Sequence, residues 1–129
     1  MSAIVVDTSV WIEFFRGVTI PEVESALKES RVVLPPLVVA ELFSGHLTTK
    51  NLDKLKLLVN QIGVIETNLE HWIEVGLLRS RLSSKGVSIS TPDAHIAYCA
   101  INLKAELASL NKIFKTVALN SSLKLAYLL

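Results

Sequence analysis

Short runs of β-branched apolar residues alternate along the chain with longer stretches whose apolar positions recur every three or four residues. Residues 3–6, Ala-Ile-Val-Val, lack the polar alternation of a half-exposed strand and predict a short strand buried on both faces of a parallel sheet. A helix is expected from Thr8 to about Phe15, ended by Gly17. Pro21 marks a helix start, and Val23, Ala26 and Leu27 give amphipathic spacing up to Ser30. Residues 32–34 read as a second strand, and Pro36 opens a helix over residues 37–44 that Gly45 closes. Residues 52–61 predict a helix with Leu55, Leu58, Val59 and Ile62 on one face, broken by Gly63 before a strand at Val64 and Ile65. A longer helix is expected over residues 69–83. Thr91-Pro92-Asp93 predicts another helix start, with Thr91 as the cap, running to about Ile101. A strand over 106–109, a turn through Asn111, a strand at Val117 and Ala118, and a closing helix from Ser121 complete the expectation. Short strands separated by helices imply parallel pairing through right-handed crossovers, hence an α/β fold, a three-layer α/β/α sandwich around a short-stranded parallel sheet.

Composition narrows the function classes. At 129 residues, with no linker rich in Pro, Gly or Ser and no repeat, the chain reads as a single domain over 1–129. Thirteen Lys and Arg against twelve Asp and Glu leave a net charge of +1, which excludes a disordered acidic tail and a strongly basic nucleic-acid coat. Cys99 stands alone, which excludes an internal disulfide and fits a cytoplasmic location. Half the residues are hydrophobic and the mean hydropathy is +0.46. The charge-free run over 32–40 holds Pro35 and Pro36 and falls far short of the roughly twenty residues a membrane span needs. The first residues, MSAIVVD, carry no signal-peptide pattern. The surplus apolar surface is therefore expected to face a partner or a second subunit rather than a membrane.

Candidate chemistry sits in three acids. Asp7 directly follows the first strand, where groups of an open parallel sheet collect for function; Thr8 or Ser9 can cap the next helix equally well, so capping does not require Asp7. Glu41 is the one charged side chain in PPLVVAELFS, and a carboxylate among apolar neighbours costs several kcal/mol unless a cation or hydrogen-bond donors compensate it. That placement points to a paired or metal-bound acid. Asp93 is stabilised in a first helical turn by the dipole but also begins an apolar helix face. Three carboxylates at strand and helix termini suit a hard divalent cation, Mg²⁺ or Mn²⁺, which takes oxygen ligands and serves phosphate chemistry. His46, His71 and His95 are scattered and offer no zinc pattern; Cys99 and Trp72 read as packing, and His95 as packing or a surface position.

Four segments, IVVDTSVWIEFFRG at 4–17, VVAELFSG at 38–45, KGVSISTPDAHIAYCA at 85–100 and ELASLNKIF at 106–114, resemble in order and spacing the PIN-domain ribonucleases, and among them the VapC toxins of type II toxin–antitoxin systems. The resemblance implies a Mg²⁺-dependent endoribonuclease whose acids meet at one edge of the sheet. It also implies an RNA substrate, a homodimer and a VapB-like antitoxin partner. Asp7, Glu41 and Asp93 fall on the first three acidic positions of the family motif. The fourth falls on Asn111, whose carbonyl oxygen can orient a water but brings no charge. Thr8, Ser9 and Ser109 stand beside these positions as possible accessory hydroxyls.

Arg79, Arg81, Lys85, Lys112 and Lys115 are candidates for the local phosphate contacts that a near-neutral net charge withholds. A receiver domain, which needs paired acids after its first strand, and a dehalogenase-type phosphatase, which needs Asp-x-Asp, do not fit Asp7-Thr8-Ser9. The competing reading is a PIN-like module, impaired by Asn111, that binds RNA or protein without cleaving. The surplus apolar surface is expected on helices 37–43 and 52–62, with Leu55 and Leu58 central to it.

Overall fold

The computed structural model describes residues 2–128. β1 (Ile4–Val6), β2 (Val32–Leu34), β3 (Gly63–Val64), β4 (Glu106–Ala108) and β5 (Lys124–Leu125) form one five-stranded sheet in the order β3-β2-β1-β4-β5. Every neighbouring pair is parallel, with Val5 opposite Val33 on one side and Leu107 on the other. Seven helices connect the strands: α1 (Thr8–Phe15), α2 (Pro21–Lys28), α3 (Pro36–Phe43), α4 (Thr49–Gln61), α5 (Leu69–Ser84), α6 (Thr91–Leu103) and α7 (Ile113–Leu119). They cover the sheet as the middle layer of an α/β/α sandwich, so the central β1 is buried at every position.

The order of connection creates the site. From β1 the chain winds outward to β2 and β3, then returns to lay β4 against the other side of β1. The winding direction therefore reverses between β1 and β4, and it is beyond the carboxyl ends of strands at such a reversal that open parallel sheets form their binding crevice. Trp11, fully buried, fixes the turn out of β1 by donating its indole N–H to Val6 O at 3.0 Å. Ser90 caps α6, accepting the Asp93 N–H at 3.2 Å, and α6 packs against α3, β1 and β4.

Several expectations are corrected. The cap of α6 is Ser90 rather than Thr91. Gly63 does not merely precede the third strand but belongs to it, and α4 starts at Thr49 because Thr48 Oγ1 accepts the Asn51 N–H. The strand expected at Val117 and Ala118 is helix α7: Phe114 and Val117 are buried one turn apart, a helical spacing that the local β-branched signal conceals. The helix expected from Ser121 is instead the edge strand β5, paired with β4 through Leu125 opposite Leu107.

The apolar surplus is also displaced. Leu55 is 4% exposed, Leu58 is half-buried, and Val38 and Leu42 are buried, so α3 and the Leu55–Leu58 face of α4 belong to the core. On α4 the exposed large apolar side chain is Leu57, and others lie on α5, at Leu69, Trp72, Ile73 and Leu77, and on α1, at Ile12 and Phe15. Among the described residues no helix is long and apolar enough to cross a membrane.

Candidate active site

Asp7 occupies the first position after β1, and its backbone N–H continues the ladder to Ala108 O at 2.9 Å. Its backbone carbonyl accepts the first α1 amides, Val10 and Trp11, but its side chain caps nothing. The carboxylate is held by hydroxyls: Ser9 donates to Oδ2 at 2.9 Å and Ser109 donates to the same oxygen at 2.7 Å. Each hydroxyl is oriented by a backbone amide. Leu110 N–H donates to Ser9 Oγ and Asn111 N–H to Ser109 Oγ, both at 3.0 Å. With amides filling the acceptor side, both hydroxyl protons turn to Asp7, so two donors converge on one carboxylate oxygen.

Among the described residues this carboxylate has no counterion. Asp7 is 6% exposed, and the ion pairs among the described residues are Arg16–Glu13 and Arg31–Glu29, both elsewhere. Oδ1 accepts no hydrogen bond from the described residues. The carboxylate thus has one oxygen anchored and the other unpartnered yet open to solvent, with no cation beside it among the described residues. Such hard oxygen donors fit a divalent cation such as Mg²⁺ or Mn²⁺.

Glu41 lies on α3, which packs against both α1 and α6. Thr8 Oγ1 donates to Glu41 Oε1 at 3.0 Å, tying the first turn of α1 to α3. Contrary to the expectation from its apolar neighbours, Glu41 is exposed: Val38 and Leu42 turn inward and leave the acid on the outer face. Asp93 is half-buried in the first turn of α6. Asn111 follows β4 as expected, but its Oδ1 accepts the Ile113 N–H at 3.2 Å and holds the turn into α7. Thr8, Ser9 and Ser109 thus all bond to an acid, while the three carboxylates do not converge within 4.8 Å of one another.

The side chains that do converge that closely are His71, His95 and Cys99, which sequence spacing did not group. His71 Nε2 lies 2.8 Å from His95 Nδ1, and Cys99 Sγ lies 3.8 Å from His95 Nε2. Trp72 stacks on the His95 ring with centroids 4.7 Å apart. Burial pushes the His95 pKa down to about 4, helped by the neighbouring His71, and lowers that of His71 as well. Burial also pushes the Cys99 thiol up to about 12. All three groups are uncharged near neutrality and bond to one another, so the cluster is packed core. His95 and Cys99 share a face of α6 at i, i+4, but His71 arrives from α5, a juxtaposition no local pattern announces.

A search of curated proteins finds no relative of this sequence. Solved structures share its fold. A chain of DNA-bound VapBC from Salmonella typhimurium superposes with a TM-score of 0.79 at 18% identity, covering 98% of each chain. A chain of Rickettsia felis VapBC2, bound to a DNA fragment from its promoter, gives 0.77 at 21% identity over 96% of this chain and 97% of that one. A chain of a toxin–antitoxin complex from Klebsiella pneumoniae gives 0.64 at 21% identity, over 86% and 88%. The family profile of the PIN domain matches residues 4–120, nearly the whole length, and the chain belongs to the PIN domain family.

Proposed function

We propose that this PIN domain is a metal-dependent endoribonuclease and the toxin of a type II toxin–antitoxin pair, working in the cytoplasm as a single catalytic domain. The observation that carries the reading is the buried Asp7 carboxylate, anchored by Ser9 and Ser109 at the carboxyl ends of β1 and β4 and without a counterion among the described residues. Asp7, Glu41 and Asp93 would hold a Mg²⁺ or Mn²⁺ ion directly or through water. When bound, the ion supplies Lewis-acid stabilisation of a phosphodiester transition state and a more acidic water.

The chain's own residues set the stage for in-line hydrolysis. Ser9 and Ser109 fix one Asp7 oxygen so that Oδ1 faces the crevice in a single orientation, which removes a reorganisation cost from the reaction. Thr8 does the same for Glu41. Asn111 shapes the turn after β4: with Oδ1 engaged by Ile113, its contribution is the backbone N–H that orients Ser109, and through it Asp7. This role needs no charge, so Asn in place of a fourth acid is compatible with activity.

The antitoxin assignment is supported by the toxin–antitoxin context of the Klebsiella pneumoniae neighbour. A cavity of about 640 Å³ beside Thr8 and Glu41, with Ile12, Phe15 and Leu47 on its apolar side and Arg16 and Lys54 on its rim, suits an amphipathic antitoxin segment. The exposed i, i+4, i+8 row Leu69, Ile73 and Leu77 suits a second copy, which makes a homodimer. The test is cleavage of total RNA in Mg²⁺ and in EDTA, with mapped ends. Cleavage confined to Mg²⁺ supports the reading; binding without cleavage favours an impaired, RNA-binding module.

A further inference from the structure

Along the second half of α5 lies an open polar groove of about 320 Å³ in which Gly76, Arg79, Ser80, Ser83 and Ser88 are exposed over buried Val87 and Ile89. Arg79 is tied in place by its Nε, which donates to the Ile89 carbonyl at 2.9 Å. That bond uses one of the five guanidinium protons and leaves the two terminal amino groups for a ligand. Arg79 has no carboxylate partner among the described residues, whose ion pairs involve Arg16 and Arg31. Three hydroxyls, from Ser80, Ser83 and Ser88, share the groove with this unpaired cation. At Gly76 the wall faces open space, and a Cβ there would meet nothing within 4 Å.

A guanidinium tethered through Nε, in a groove that also holds three serine hydroxyls and no carboxylate, suits a phosphate. Its placement links it to the acids. Ser88 and Ile89 lead directly into Ser90, the cap of α6, whose first turn carries Asp93. Lys85, another basic residue of this region, is instead drawn to the Asn120 carbonyl at 2.9 Å, which leaves Arg79 as the cation of the groove. We infer that Arg79, with Ser80, Ser83 and Ser88, binds a backbone phosphate of the RNA strand that flanks the scissile bond on the Asp93 side. The inference rests on the RNA-nuclease reading for the identity of the strand, and it supplies the local charge that the overall balance of +1 does not.

The test is binding of a fluorescent single-stranded RNA in EDTA, where no cleavage occurs, followed by anisotropy over a range of salt for the full chain. Each phosphate contact to a single strand contributes a slope of about 0.7 in log affinity against log salt, or about fivefold in affinity near 0.1 M salt. Arg79→Gln is expected to weaken binding about fivefold and to lower the slope by that one contact, and Ser83→Ala, which leaves the Arg79–Ile89 bond intact, to weaken binding about twofold. An oligonucleotide with a single neutral methylphosphonate at the flanking position should bind the wild type as weakly as Arg79→Gln binds the normal strand, and Arg79→Gln should not distinguish the two strands. Unchanged affinity and slope in a folded Arg79→Gln would overturn the inference while leaving Mg²⁺-dependent cleavage untouched. So would inorganic phosphate binding that depends on Arg79 while RNA binding does not, since the groove would then serve a free anion. RNA binding that depends on Arg79 in a protein that never cleaves would uphold the groove and sink the nuclease assignment.

Discussion

Two buried polar clusters lie within this fold, and they solve the cost of burial in opposite ways. His71, His95 and Cys99 shed their charge: burial holds His95 near 4 and Cys99 near 12, and their polar atoms face one another. Asp7 instead accepts two hydroxyl donors on one oxygen, and among the described residues no cation pairs with it. A polar cluster whose members satisfy one another belongs to the core. One that leaves a charge half-answered points outward, to something that binds. The cluster of three potential ligands thus reads as structural, and on the proposed function the buried acid Asp7 is the one that binds.

The widest separation of the two clusters comes from removing the acid. Asp7→Asn should lower Mg²⁺-dependent RNA cleavage by about a thousandfold, because several kcal/mol of charge stabilisation disappear at about 1.4 kcal/mol per tenfold. Initial rates on a defined RNA check this, and retained activity would move the site elsewhere. Next in size, Ser109→Ala should reduce cleavage by about ten- to a hundredfold, as loss of an orienting partner does for a metal-binding side chain. Thr8→Val, which frees the exposed Glu41, should cost less than Ser109→Ala. A Thr8→Val enzyme more damaged than Ser109→Ala would reverse the ranking of the two acids.

The histidine cluster predicts a pH effect on stability rather than on catalysis. The folded pKa of His95 lies below its unfolded value of about 6.5, so the unfolded chain takes up the proton first as pH falls. The stability present above pH 6.5 is lost progressively down to about pH 4, on the order of 2–3 kcal/mol at about 1.4 kcal/mol per pKa unit. Urea titrations from pH 7 to 4, with imidazole nitrogen NMR to identify the group, measure it. A His95 ring that protonates near 6.5 in the folded protein would show that the cluster is open to water.

The legible parts of this molecule were those in which local pattern and tertiary role agree. Ile4, Val5 and Val6 form a short β-branched run because β1 is buried on both faces, and Asp7 stands out because an acid directly after such a strand meets the crevice. Where the two diverge, the pattern misleads. Val117 and Ala118 carry a strand signal, but Phe114 and Val117 need a helical turn to reach the core together. β5 is a two-residue edge strand with Lys124 exposed and has no periodicity to detect. Glu41 sits among apolar residues in sequence, yet a helix separates neighbours by face, and its inward neighbours leave it exposed. The turn-holding role of Asn111 depends on an amide two residues later, and the His71–His95 contact on two helices meeting across 24 residues.

The central claim, that the Asp7 carboxylate is left uncompensated so as to receive a divalent cation, is tested most directly by thermal unfolding with increasing Mg²⁺, which needs neither RNA nor activity. The wild type should be stabilised by about 2.7 kcal/mol when Mg²⁺ reaches a hundred times its Kd, a rise of several degrees in Tm. Asp7→Asn, relieved of a buried charge, should begin at or above the metal-free wild type and respond little. An equal rise in Tm for both proteins would contradict the claim.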